Sequence, residues 1–223
     1  MLKVSHICKT IENKNILSNI SFILNDGDVL GIAGPNGAGK STLISILSTI
    51  IKPTKGNISY YVNGDLYKGE KKDIIGYVPQ DIALYEELNI KDNLLLFGST
   101  ISNDTRIVLN KATNIARALG LMDEFKTRVS KLSGGTKRRV NIAIGLIRDP
   151  KFVFMDEPVV GVDYRARRDI EYIISNMRSQ GKIITITSHL IEFLENTCNK
   201  LLILENGKQK YFGDFDDEVK SKI

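Results

Sequence analysis

Two textures of apolar and polar positions run along this chain. Leu2-Lys3-Val4 and residues 20–24 place apolar side chains at every second position, which predicts strands joined by a polar turn over residues 12–15. Residues 29–33 form a small apolar strand that ends in a Gly-rich loop. A helix over residues 41–51 follows, with Leu43, Leu47 and Ile50 at helical spacing, and Lys52-Pro53-Thr54-Lys55-Gly56 closes it. Residues 57–62 and 74–78 read as strands. From about residue 85 to 132 strand runs vanish, and Val108, Ala112, Ile115 and Leu119 share one helix face. Residues 152–155, 183–187 and 201–204 are then continuous apolar runs, as expected of strands buried on both faces of a parallel sheet. Between the first two, Ile170, Ile173, Ile174 and Met177 line one side of a helix. The pattern predicts an α/β protein with a parallel-sheet core, interrupted by a helical insertion. The charged stretch 214–223 reads as a surface helix.

Composition narrows the classes. The 223 residues suffice for one substantial core, and 42% hydrophobic with 26% charged residues is ordinary for a globular chain. The longest uncharged apolar stretch, 41–51, is too short to cross a bilayer. Polar residues from Lys3 onward break any secretory pattern, so a cytoplasmic location is expected. Cys8 and Cys198 lie far apart, without metal-ligand spacing, and read as reduced structural thiols. The net charge of +5 suits anionic partners but selects none of them.

Gly34-Pro35-Asn36-Gly37-Ala38-Gly39-Lys40-Ser41 matches the phosphate loop G-x-x-x-x-G-K-[ST], with a strand before it and a helix, entered through Thr42, after it. Glycines let backbone N–H groups wrap phosphates at the helix N-terminus. Lys40 would reach the terminal phosphates and the Ser41 hydroxyl would bind Mg²⁺. A second element, Phe152-Val153-Phe154-Met155-Asp156-Glu157-Pro158, ends an apolar strand in two carboxylates. Asp156 would hold Mg²⁺ through water, and Glu157 would act as general base toward the attacking water. These motifs together specify a P-loop NTPase core and leave GTPase, small-molecule kinase and helicase open. No guanine-reading N-K-x-D motif accompanies them, since Asn199-Lys200 is followed by Leu201-Leu202.

Leu132-Ser133-Gly134-Gly135-Thr136 resembles the LSGGQ signature of ABC ATPases. Physically it is a second anion cradle, with Ser133 capping a helix and two glycines exposing N–H groups. Gln80 resembles the Q-loop glutamine, which touches Mg²⁺ and the attacking water. Asp163, in Val160-Gly161-Val162-Asp163, resembles the D-loop aspartate, and His189, after Thr187-Ser188, the switch histidine at the γ-phosphate. His6 has no motif around it. The resemblance covers essentially the whole chain and is greatest to the branch that drives ABC-2-type exporters. It implies a RecA-like P-loop core with an N-terminal antiparallel β subdomain, formed by residues 1–84 and 144–223, and a helical signature subdomain over 85–143. It also implies ATP and Mg²⁺ as ligands. Two such chains, identical or related, would sandwich two ATPs head to tail with Ser133, Gly134, Gly135 and Asp163 at the seam. A separate membrane permease would be driven, in the direction of export, from the inner face of the membrane; no nucleic-acid partner is expected.

The chain departs from the family at Thr136 in place of Gln, at Val159 and Tyr164 around the D-loop, and at Ile11, where an aromatic residue stacks on adenine. Lys137-Arg138-Arg139 reads equally well as a solvated basic turn or as a phosphate contact. Leu84, Tyr85 and Glu86 are expected to line a groove for a permease helix. Nucleic-acid and ribosome-acting relatives carry a long coiled coil between phosphate loop and signature, or two cassettes in one chain; residues 40–133 leave no room for the coil and only one cassette is present. Intact Lys40, Asp156, Glu157 and His189 argue against a silent regulatory module.

Overall fold

Strands that are apolar at every position need a covering layer on each face. The computed structural model, which describes residues 1–216 and Val219, supplies both layers. In chain order the elements are β1 (Leu2–Ile11), β2 (Lys14–Leu24), β3 (Val29–Ala33), α1 (Lys40–Leu47), β4 (Lys55–Val62), β5 (Asp65–Leu66), β6 (Ile75–Val78), α2 (Ile90–Gly98) and α3 (Thr105–Ala118). They continue with α4 (Gly134–Leu146), β7 (Phe152–Asp156), α5 (Tyr164–Ser179), β8 (Ile183–Thr187), α6 (Ile191–Thr197), β9 (Lys200–Glu205) and β10 (Lys208–Asp214).

Among the described residues ten strands form one sheet in the order β5-β4-β1-β2-β10-β9-β3-β8-β7-β6. The run from β9 to β6 is parallel, and β1, β2, β4 and β5 pair antiparallel. Alternate residues of the central strands serve different cores. Phe152 and Phe154 of β7 pack with α1 and the antiparallel strands, whereas Val153 and Met155 pack with the helical side. This is the P-loop NTPase arrangement, with α2, α3 and α4 inserted between β6 and β7.

The structure differs from the sequence reading in detail. The helix expected over 41–51 ends at Leu47. Thr49 takes a positive φ of 64°, and the N–H groups of Ile50 and Ile51 both reach back to Ser45 O. Ile50 therefore leaves the apolar face and is 56% exposed. β1 and β2 are longer than their alternating stretches. The alternation fails at His6 and Asn19, both at positive φ beside register shifts, where His6 Nδ1 and Asn19 Oδ1 lie 2.8 Å apart. Those two residues thus make an irregularity of the sheet. The division at 143/144 falls inside α4, so one continuous helix spans it. The surface helix expected over 214–223 lies largely outside the described residues.

Candidate active site

The phosphate loop joins β3 to α1. Gly39, the residue before α1, sits in the left-handed region at φ 99° and offers no side-chain cap. The first-turn N–H groups of α1 therefore face the loop's concavity, where an anion satisfies them. Lys40 is buried, and its Nζ donates to Gly34 O at 2.7 Å and Pro35 O at 3.2 Å. Burial lowers its pKa from the ordinary lysine value, while the nearby Glu157 and Asp156 carboxylates work in the opposite direction.

β7 brings two buried carboxylates to the same end of the sheet. The β7–β8 register sets Asp156 opposite Thr187. Thr187 Oγ1 donates to Asp156 Oδ1 at 2.5 Å and accepts from Glu157 N at 2.9 Å, so one hydroxyl fixes both acids. Ser41 Oγ donates to the same Asp156 oxygen at 3.2 Å. Glu157 adopts φ 46°, a conformation that costs energy in a non-glycine residue and concentrates at functional sites. Its Oε2 accepts from His189 N at 3.3 Å. Its Oε1 is buried 3.2 Å from His189 Nε2 and, among the described residues, makes no hydrogen bond. Burial raises the Glu157 pKa; His189 and Lys40 oppose the rise and Asp156 adds to it.

A cavity of about 390 Å³ joins these groups, with Asn36, Gly37, Gly39, Lys40, Ser41, Thr42, Gln80, Glu157 and His189 on its walls. Ile16 also lines it. Ile11 is not on that wall; it ends β1, pairs with Lys14 and is 43% exposed. Sequence reasoning did not single out Ile16 or assign Thr187 a part. Thr187 could have been found as the residue at the end of β8 that faces Asp156 in a parallel register.

Ser133, Gly134, Gly135 and Asp163 lie on a separate, largely exposed surface. Ser133 caps α4 by accepting from Thr136 N at 3.1 Å, and Asp163 caps α5 by accepting from Ala166 N at 2.8 Å. The α4 and α5 N-termini meet there, with Gly134 backed by Gly161 O. The basic triplet is not a solvated turn in this chain. Lys137 pairs with Glu86 at 2.7 Å, Arg139 with Asp169 at 3.5 Å, and Arg138 is buried.

Residues 17–160 match the ABC transporter family. The chain belongs to that family. This ABC cassette is 35% identical over 220 residues to the linearmycin resistance ATP-binding protein of Bacillus subtilis, covering 97% of the chain and 70% of that relative. It is 35% identical over 205 residues to the Nod factor export ATP-binding protein I of Rhizobium etli, covering 92% of the chain and 65% of that relative. A nucleotide-free ATP-binding cassette from an ABC transporter superposes with a TM-score of 0.86 at 25% identity, covering 99% of this chain and 94% of that one. The cassette is thus the ATP-binding, ATP-hydrolysing subunit of an ABC transporter. ABC ATP-binding subunits dimerise and work with a membrane permease. Among the described residues no helix of this cassette is long and apolar enough to cross a membrane.

Proposed function

We propose that the cassette hydrolyses ATP with Glu157 as general base and uses the cycle to drive export through a separate permease. The observation that carries this is the convergence of Glu157, Lys40, Ser41, Gln80 and His189 on the walls of one cavity. Glu157 accepts the proton of the attacking water. Gln80 and His189 orient that water and the terminal phosphate, and Lys40 with the loop N–H groups stabilises the charge that spreads over the phosphate oxygens. The donor set fits Mg²⁺, since a hydroxyl and a carboxylate converge beside the phosphate cradle while most ligands are left to phosphate and water. Ser41 and Gln80 would hold that ion directly and Asp156 through water, and it would neutralise phosphate charge. A purified chain that releases no phosphate from Mg-ATP, alone or with its permease, would sink this reading.

The exposed Ser133-Gly134-Gly135 cradle and Asp163 support a head-to-tail dimer, with a second copy or a related subunit, in which each signature covers the other's ATP. The names of the two relatives, one for resistance and one for export, support export. The cassette would then sit at the inner face of the cell membrane, held there by the permease.

The permease helix would enter a groove of about 390 Å³ between β6 and α4, lined by Ile75, Tyr77, Ala83, Phe97, Ile144 and Arg148 among others. Tyr85 stands at its edge, with its ring 6.1 Å from Phe97. Leu84 packs on the core and Glu86 is held by Lys137, so Tyr85 is the residue of that trio best placed to meet a partner. Cysteines at Ala83 or Tyr85 are expected to cross-link to the permease, and cysteine at Tyr164 is not. The reverse pattern would place the permease on the signature face.

Base recognition is expected to be weak. Ile16 on the cavity wall and Ile11 beyond it at the end of β1 are both aliphatic and present no flat π surface, whereas stacking on an aromatic ring contributes about 1–3 kcal/mol per base. ATP and GTP should therefore bind with similar affinity. Ile11→Tyr should tighten ATP by up to about tenfold, the equivalent of about 1.4 kcal/mol. Titration of both proteins with both nucleotides tests this; a wild type already selective for ATP, with no gain from tyrosine, would move the base pocket away from Ile11.

A further inference from the structure

One buried cation on α4 has no part in the chemistry described so far. Arg138 is 3% exposed, and burial depresses its pKa while the Asp81 carboxylate works against that. Among the described residues no carboxylate forms an ion pair with it; its partners are backbone carbonyls. Its Nη1 donates to Gln80 O at 2.8 Å and Pro79 O at 3.2 Å, and its Nη2 to Val160 O at 3.4 Å. One turn further along α4, Asn141 grips the same loop, donating to Pro79 O at 3.3 Å and accepting from Ala83 N at 3.3 Å. Val160 N is bonded in turn to Glu157 O at 3.3 Å.

Burying a guanidinium against carbonyls alone is costly, and a structural role here would be filled as well by an apolar side chain. What an apolar side chain cannot do is bridge two loops. The fork of Arg138 spans the loop that carries Gln80 and the turn that follows Glu157, the two segments that must present their side chains to one water. It does so from the helix whose N-terminus is the signature cradle. We propose that Arg138 is a positioning residue for hydrolysis, which holds the Gln80 loop and the turn after Glu157 in register with the signature helix. The proposal rests on the reading of Glu157 as general base.

A misplacement of about 1 Å at a reacting centre costs on the order of a hundredfold in rate, so R138Q is expected to lower kcat by roughly ten- to a hundredfold. ATP affinity, read with a fluorescent ATP analogue, should change by less than about twofold, because the phosphate loop is untouched. The Mg²⁺ concentration for half-maximal rate should rise, since Gln80 would no longer be fixed. R138K, a point cation without a fork, should recover only part of kcat. The double variant R138Q/Q80A should be slower than Q80A by clearly less than the factor R138Q costs alone, because part of the R138Q effect acts through Gln80. Wild-type kcat in R138Q overturns the proposal, as does a fall of kcat and ATP affinity together with the folded fraction in a thermal melt. Full multiplication of the R138Q and Q80A effects in the double variant would equally do so. Failure of the underlying reading shows separately, as E157Q hydrolysing ATP at the wild-type rate.

Discussion

Glu157→Gln is expected to bind Mg-ATP as the wild type does and to lose hydrolysis by about 10²–10⁴-fold, the usual contribution of a positioned base. Gln keeps the shape of the side chain and its contact with the His189 N–H, so the cavity is preserved, but an amide cannot accept the proton. With hydrolysis slow and the seam residues intact, the ATP-bound dimer should accumulate and elute earlier on sizing in Mg-ATP. Phosphate release measured beside sizing separates loss of chemistry from loss of binding. A variant that hydrolyses at the wild-type rate would remove Glu157 from the role of base.

The pH dependence follows from the same burial. Glu157 must be ionised to accept a proton, and burial raises its pKa. The wild-type rate should thus fall on acidification at a pH above the ordinary carboxylate range, and the residual rate of Glu157→Gln should lack that limb. The sign for stability is opposite. A carboxyl whose folded pKa is raised binds its proton more tightly in the folded state, so this group favours folding below its folded pKa and disfavours it above. Replacing it with neutral Gln should leave the thermal midpoint at pH 7 no lower than the wild type's.

What could be read from the sequence depended on whether a residue's role is local. The phosphate loop, the acids at the end of β7 and the cap Ser133 act through neighbours within a few positions, and periodicity sufficed to place β3, β7, β8 and α5. Thr187 acts across a strand pair, and its bond to Asp156 exists only once the β7–β8 register is fixed. Lys137, Arg138 and Arg139 are alike in composition, and only the orientation of α4 in the fold decides that the middle one is buried while its neighbours pair with acids. Ile50 kept helical spacing in the sequence, but a residue at positive φ intervenes, and periodicity carries no information on that turn. Ile16 reaches the cavity because β2 passes behind Gly39, a placement set by pairing with β1 and β10.

Gly34→Ala should be the most damaging single-methyl change in the phosphate loop. Gly34 sits at φ 145°, and a Cβ there would lie 2.1 Å from Leu204 O and 3.1 Å from Leu204 C. That obstacle is backbone of β9, hydrogen-bonded to β3 through the Ala33–Ile203 pair, so no side chain can rotate out of the way. Either β3 and β9 part or the loop lifts off the sheet. Overpacking costs about 1–3 kcal/mol and the forced backbone conformation about 1–3 kcal/mol more. In a domain of this size that lowers the thermal midpoint by roughly 10 °C. If instead the loop lifts, stability is partly spared, but the N–H groups no longer converge and ATP binding fails. The control for stability is Gly37→Ala, at φ 78° with no protein atom within 4 Å of the added Cβ, which costs the fold only the backbone conformation, about 1 kcal/mol. Melting curves and ATP titrations of the two variants decide the matter: Gly34→Ala should lose far more in at least one of them. Wild-type melting together with wild-type ATP affinity in Gly34→Ala would show that the contact between the loop and β9 is not what shapes the phosphate cradle.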